Sequence, residues 1–193
     1  MSTHERHPSV VAVIGSPRPA GNTVALAGAA LDELAERGAR CSRVMLGELS
    51  IAPCRAHDAC GEFAACPLGD AAAGALASAF AADGLILASP VYYENVSAQM
   101  KAFMDRSVFQ FSHGVWLSAK VVGLLAVTAE TGLDDALDAM ARYVALSSDR
   151  EIPVVRFGGH ADAAGDAASD EALLAGARAM AGEMAERLGL SRV

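Results

Sequence analysis

The chain has 193 residues, of which 53% are hydrophobic and 20% are charged, and its formal net charge is −8. This length and apolar content are typical of one domain, expected over residues 9–193 after a flexible tail at residues 1–8. The acidic balance argues against a nucleic-acid partner, because phosphate neutralisation needs clustered Lys and Arg. No apolar stretch reaches the roughly 20 residues of a membrane span and the polar start carries no secretion signal, so we expect a cytoplasmic protein.

Apolar side chains recur along the chain in two alternating patterns. Short β-branched runs predict five strands, at residues 9–15, 40–49, 84–93, 119–130 and 151–160. Longer segments with helical spacing predict five helices, at residues 23–38, 70–84, 97–108, 132–147 and 169–189. Residues 50–69 lack a clear period and are predicted as a long loop. The alternation predicts an α/β fold in which one parallel sheet is covered by helices on both faces.

The segment GSPRPAGNT (15–23) joins the first predicted strand to the first predicted helix. Ligands of such sheets bind outside the carboxyl ends of the strands. The first N–H groups of a helix lack intrahelical acceptors and favour an anion, and Arg18 adds a positive charge. A phosphate site is therefore predicted. The alternative is a simple turn with Asn22 or Thr23 as the helix N-cap.

The same segment lacks the glycine spacing of a dinucleotide-binding turn and the Lys of a P-loop, which favours a mononucleotide. It resembles the phosphate loop of the NADPH-dependent FMN reductase family. The segment GLILASPVYYENVSAQMKAFMDR (84–106) resembles the second signature of that family. The resemblance implies FMN as cofactor and a flavodoxin-like, doubly wound, five-stranded parallel sheet with strand order 2-1-3-4-5.

The resemblance also implies which residues bind the cofactor. The FMN phosphate would be held in the first loop by Ser16, Arg18, Asn22 and Thr23, with Gly21 beside them. The isoalloxazine ring would be lined after the third strand by Pro90, Val91, Tyr92, Tyr93 and Asn95. Thr128, after the fourth strand, is the remaining cofactor-binding candidate. Simple packing is the alternative for the two tyrosines.

A bound flavin would carry the chemistry itself, so no catalytic side chain is predicted. The resemblance implies an NAD(P)H-dependent oxidoreductase that passes hydride or electrons to a flavin, a quinone or another small aromatic acceptor, with a biosynthetic pathway as one setting. A flavodoxin-like electron carrier is an alternative, because an acidic surface suits docking on basic partners. An iron–sulfur flavoprotein is another.

The predicted loop 50–69 holds three of the four cysteines. Cys54, His57, Cys60 and Cys66 follow the pattern C-x2-H-x2-C-x5-C. This pattern resembles the compact four-cysteine motif of iron–sulfur flavoproteins, a branch of the same family, with histidine at the second position. Such donors suit a [4Fe–4S] cluster or zinc, and plain thiols are the preferred third interpretation. The fourth cysteine, Cys41, lies in a predicted strand and is expected in the core.

Six of the ten aromatic residues lie between residues 92 and 116. Exposed aromatic side chains are typical of interfaces. The segment VFQFSHGVW (108–116) is therefore predicted as a subunit interface or as a lid over the flavin. A homodimer is favoured.

Overall fold

Five parallel strands and one short antiparallel strand form the sheet in this computed structural model, which describes residues 7–191. The strands are β1 (Ser9–Ile14), β2 (Arg40–Met45), β3 (Gly84–Tyr92), β4 (Asn95–Val96), β5 (Val121–Thr128) and β6 (Val154–His160). The parallel strands lie in the order β2-β1-β3-β5-β6, and β4 pairs only with β3. Counted without β4, this is the predicted order 2-1-3-4-5, which is confirmed.

Helices cover both faces of the sheet. They are α1 (Asn22–Glu36), α2 (Ala72–Ala81), α3 (Ala98–Arg106), α4 (Val108–Ser112), α5 (Leu133–Leu146) and α6 (Glu171–Arg187). One core layer lies between the sheet and α1 and α6, and the other between the sheet and α2, α3 and α5. The helix predicted over 97–108 ends at Arg106, and the short helix α4 follows it.

The central strands are apolar on both sides because both faces are covered. All eight residues of β5 are buried. In β1, Val10 and Ile14 face α1 and α6, whereas Val11 and Val13 face α2 and α3. Alternating side chains of one strand therefore enter both core layers.

The two chain ends lie partly outside the described part of the chain. Residues 1–6 of the predicted tail and residues 192–193 of the predicted domain are not described. Arg40 donates hydrogen bonds from its backbone N to Pro8 and from its Nε to His7. No helix within residues 7–191 is long and apolar enough to cross a membrane.

Candidate functional site

A cleft of about 120 Å³ lies at the carboxyl ends of β1, β3, β5 and β6. Nine of the eleven predicted cofactor-binding residues line it: Ser16, Arg18, Gly21, Asn22, Thr23, Pro90, Val91, Tyr92 and Thr128. The other two, Tyr93 and Asn95, do not line the cleft. The sequence analysis missed a fourth wall, which the segment after β6 supplies with Ala161, Asp162, Ala163 and Ala164.

The loop between β1 and α1 is held open by its own hydrogen bonds. The buried Ser16 hydroxyl donates to the Arg18 carbonyl at 3.0 Å and accepts the Arg18 N–H at 3.1 Å. Gly21 is the N-cap of α1, and no side chain caps the helix, so neither Asn22 nor Thr23 is the N-cap that the alternative predicted. A Cβ at Gly21 would lie 3.0 Å from Ser16 Oγ, so a side chain there would fill the loop.

The cleft presents donors to an anion. The N–H groups of Asn22 and Thr23 have no acceptor within residues 7–191. Arg18 is exposed, pairs with no carboxylate of the described chain, and is the one cationic side chain among the lining residues. Free helix N–H groups and a guanidinium suit a phosphate dianion. Asp162 adds an opposing charge on the fourth wall.

The cleft is small and open to solvent, and its volume of about 120 Å³ suits a group of the size of a phosphate.

The Asn22 side chain holds the fourth wall in place. Its Nδ2 donates to the Ala163 carbonyl at 2.8 Å, and its Oδ1 accepts N–H groups of Gly165 at 2.8 Å and Ala167 at 3.2 Å. Both the nitrogen and the oxygen of the side-chain amide are therefore hydrogen-bonded within the protein. Asn22 therefore has its backbone N–H to offer a phosphate, and its side chain positions residues 161–168.

A β-hairpin follows the buried part of β3, where the sequence predicted a loop. Val91 pairs with Val96, and Tyr92 pairs with Asn95. The two turn residues have positive φ, 49° at Tyr93 and 58° at Glu94, as a type I′ turn requires. Glycine or asparagine usually occupies these positions, so the hairpin is strained. It leaves Tyr93 fully exposed at the tip, and among residues 7–191 the one donor to Asn95 Oδ1 is the neighbouring Val96 N–H.

The hairpin tip is fixed by the loop after β5. Thr131 donates to the Glu94 carboxylate at 3.1 Å. A Cβ at Gly132 would lie 2.3 Å from the Cα of Glu94, so the two backbones are in direct contact. Thr128 lines the cleft, but its hydroxyl donates to Thr131 O at 2.7 Å and accepts the Glu130 N–H at 3.2 Å. Its hydroxyl shapes this loop.

Two buried serines join the two signature segments, and the sequence analysis did not single them out. Ser97 caps α3, and its hydroxyl donates to the Gly15 carbonyl at 2.7 Å. Its N–H donates to the hydroxyl of Ser89 at 2.9 Å. A Cβ at Gly15 would lie 2.8 Å from Ser97 Oγ, so only glycine fits this junction. A serine directly before a helix was the available signal, because Ser is a preferred N-cap.

The cysteine loop (residues 50–69) does not bring its four predicted metal ligands together. Within residues 7–191, no group of three or more His, Cys, Asp and Glu side chains is placed to hold a metal ion. The thiol of Cys66 accepts a hydrogen bond from Arg106 Nη2 at 3.2 Å. A cluster or a zinc ion needs about four donors on one centre, and residues 7–191 form no such centre. Cys41, in β2, is partly buried and packs against the core without being part of it, and burial raises the pKa of its thiol to about 11.

Arg106 also binds Asp70, and both groups are shielded from water. Arg106 Nη1 lies 2.6 Å from Asp70 Oδ2, and the two side chains are 3% and 13% exposed. The Arg106 guanidinium lowers the pKa of the Asp70 carboxyl from 3.8 to about 2, against the opposing effect of burial. Burial lowers the pKa of Arg106, but its bonds to Asp70 and Cys66 outweigh this effect and raise it.

The lowered pKa of Asp70 predicts a loss of stability in acid. A carboxyl that is more acidic when folded stabilises the fold above its unfolded pKa, near 3.8, and loses this contribution as the pH falls through about 2. We expect the free energy of unfolding of the wild type to approach that of Asp70→Asn between pH 5 and pH 2, measured by urea titration. Asp138→Asn, at an exposed ion pair, is the control for removing a carboxylate from the surface. A constant gap between wild type and Asp70→Asn would contradict the assignment.

The aromatic segment 108–116 lies away from the cleft. None of its residues lines the cleft. Val108 and Phe111 instead line a separate groove of about 560 Å³ with Met104, Tyr143 and Leu146. Leu146 ends α5, whereas the cleft lies near the start of α5, after Thr128. The segment therefore does not form a wall of the cleft, and a lid over the flavin stays a prediction.

Comparisons with known proteins identify the family. The sequence model of the family described as NADPH-dependent FMN reductase matches residues 8–147. An iron–sulfur flavoprotein of Methanocaldococcus jannaschii is 35% identical over 186 residues, which cover 92% of this chain and 95% of that protein. The apo form of the NADH:FMN oxidoreductase EMOB has a TM-score of 0.66 at 23% identity, over 96% of this chain and 91% of EMOB. A flavodoxin from the domain Archaea has a TM-score of 0.60 at 13% identity, over 94% of this chain and 98% of its own.

The two solved structures show the fold, which is flavodoxin-like as predicted. The family match spans more than half of the chain and includes both signature segments. The similarity to the iron–sulfur flavoprotein extends over almost the whole length of both proteins. The chain therefore belongs to the NADPH-dependent FMN reductase family and is a flavin-dependent oxidoreductase.

Proposed function

We propose that this protein binds FMN with its phosphate in the cleft and oxidises NAD(P)H, passing the electrons to a flavin, a quinone or another small aromatic acceptor. The observation that carries the proposal is the set of unpaired donors at one end of the cleft: the N–H groups of Asn22 and Thr23 and the guanidinium of Arg18. The match to the FMN reductase family supports it.

The two parts of FMN would meet two different surfaces of the protein, one polar and one apolar. The loop after β1 would hold the phosphate, because its free N–H groups lie at the N-terminus of α1. Pro90, Val91 and Tyr92 line the opposite side and offer apolar surface to the ring. When bound, the flavin accepts hydride and passes electrons on, and the protein fixes its orientation. No side chain of the cleft is needed as an acid or base for that transfer.

Arg18→Ala is expected to weaken FMN binding by roughly 10- to 100-fold, because a hydrogen bond to a charged group is lost. Riboflavin has no phosphate, so its affinity should stay unchanged. Flavin fluorescence titration of both ligands measures the two constants. Arg178→Ala, on the exposed side of α6, removes the same charge outside the cleft and should bind FMN as the wild type does.

Two results would contradict the proposal. If Arg18→Ala weakened the binding of FMN and of riboflavin equally, the FMN phosphate would not bind beside Arg18 in the cleft. Failure of the FMN-loaded wild type to oxidise NADH or NADPH with a quinone acceptor in steady state would favour an electron carrier over a reductase.

The groove beside α4 is proposed to be the interface of a homodimer. Its walls carry exposed apolar side chains, with Phe111 60% and Leu146 76% exposed. Asp105 and Arg142 lie on the same groove with opposite charges. A twofold axis brings one patch against its own copy, which allows Asp105 of one copy to face Arg142 of the other. The groove therefore offers a second copy both apolar surface and charges of both signs.

Leu146→Arg is expected to convert a dimer into a monomer, because it places a charge in the apolar part of the groove. Light scattering after size-exclusion chromatography measures the mass. Leu49→Arg is the matched control, since Leu49 is also exposed but lies outside the groove. A monomeric wild type, or a dimeric Leu146→Arg protein, would contradict this interface.

A further inference from the structure

Three of the four predicted ligands of the cysteine loop each have a separate neighbour. The Cys54 thiol accepts the N–H of Ala56 at 3.4 Å. The His57 ring meets the Phe63 ring edge-on, with 5.9 Å between centroids. The Cys66 thiol accepts the hydrogen bond from Arg106. The sequence supplies four donors, but these contacts hold three of them on different partners.

Arg106, at the end of α3, contacts residues near both ends of the cysteine loop. Its Nη1 donates to the Ala52 carbonyl at 3.0 Å and to Asp70 at 2.6 Å, while Nη2 donates to Cys66. The guanidinium is 3% exposed and carries a permanent positive charge. The Cys66 thiol is thus held by a side chain that is itself fixed to Ala52 and Asp70, and within residues 7–191 it belongs to no group of three or more His, Cys, Asp and Glu side chains placed to hold a metal ion. Bringing Cys66 onto one centre with the other predicted ligands would require this buried network to move.

Asp70 completes the closure of the loop. Its carboxylate accepts the N–H of Ala52 at 2.9 Å and the N–H of Ala72, at the start of α2, at 3.1 Å. The chain on either side of the cysteines is thus tied to one buried ion pair. Closing a loop in this way limits its conformations as a bound metal does in other small sites.

We infer that the cysteine loop of this chain holds neither an iron–sulfur cluster nor zinc, and that the Asp70–Arg106 pair and the Cys66 thiol fix the loop instead. In this respect the chain departs from the iron–sulfur flavoprotein to which it is similar. The inference is independent of flavin binding, because its residues do not line the cleft.

Metal content tests the inference directly. The wild-type protein is purified without oxygen, and its iron, zinc and acid-labile sulfide are measured before and after incubation with ferrous iron and sulfide under reducing conditions. We expect less than about half an equivalent of either metal per chain in both samples. A larger content, approaching about four irons with matching sulfide or about one zinc, would overturn the inference.

Thermal unfolding of cysteine variants gives a second, independent test. Cys66→Ala removes the acceptor of Arg106 and is expected to lower Tm by roughly 2–6 °C. Cys66→Ser keeps an acceptor and should recover part of that loss. The double variant Cys54→Ser/Cys60→Ser leaves the Arg106 contacts intact and should keep the wild-type Tm. A metal centre would need all of these cysteines, so a fall in Tm of the double variant as large as that of Cys66→Ala would contradict the inference.

Discussion

Arg106→Met is expected to lower the free energy of unfolding by about 3–5 kcal/mol, because it leaves a buried carboxylate without its partner. The guanidinium makes three contacts that methionine cannot replace, to Asp70, Ala52 and Cys66. Urea unfolding at neutral pH, followed by circular dichroism, measures the change. The double variant Arg106→Met/Asp70→Asn removes the stranded charge and should recover part of the loss.

Arg156→Met is the matched control for this prediction. Arg156 also lies 2.6 Å from a carboxylate, that of Asp138, but the two side chains are 47% and 50% exposed. An exposed pair of this kind contributes about 0–1 kcal/mol. The same substitution at two ion pairs of equal length therefore compares a buried guanidinium that has three partners with an exposed one. Equal losses in both variants would show that the surroundings of Arg106 do not matter, and would remove the basis for its role in the cysteine loop.

The sequence could not predict the role of Arg106, because its side-chain partners are distant along the chain. Asp70 lies 36 residues before it and Cys66 lies 40 residues before it. Periodicity reports which residues share a face of one helix or strand, not which loop meets that face. The compact spacing of the cysteines likewise predicted that the four ligands would lie close together. That spacing describes one short stretch of chain, and it carries no information about Arg106, which contacts this stretch from a distant helix.

The sheet and most of the cleft could be predicted because their signals are local. Each parallel strand is a run of apolar residues, and the phosphate loop is continuous in sequence with the first strand. The hairpin gave no such signal. Pro90 in a predicted strand usually indicates that the strand ends, and Tyr93 and Glu94 are not the residues that a type I′ turn favours. Their conformation is maintained by contacts with Thr131 and Gly132, from the next strand-to-helix loop.

Gly132→Ala is expected to move this hairpin and to weaken FMN binding by about 10-fold or more. The new Cβ would lie 2.3 Å from the Cα of Glu94, a separation that no side-chain rotation relieves, so one of the two backbones must shift. Gly132 also has a φ of 81°, which disfavours alanine. Together, overpacking and the backbone conformation should lower the free energy of unfolding by roughly 2–5 kcal/mol. Urea unfolding and flavin titration measure the two effects.

Gly114→Ala separates the two causes. Gly114 has a similar φ of 64°, but a Cβ there would meet no atom within 4 Å. This variant should lose only the roughly 1–2 kcal/mol of an alanine in the left-handed region, and it should bind FMN as the wild type does. If Gly132→Ala also left FMN affinity unchanged, the hairpin that carries Tyr92 would not touch the flavin. The apolar side of the proposed site would then have to be sought elsewhere, while the phosphate assignment, which rests on Arg18 and the N-terminus of α1, would be unaffected.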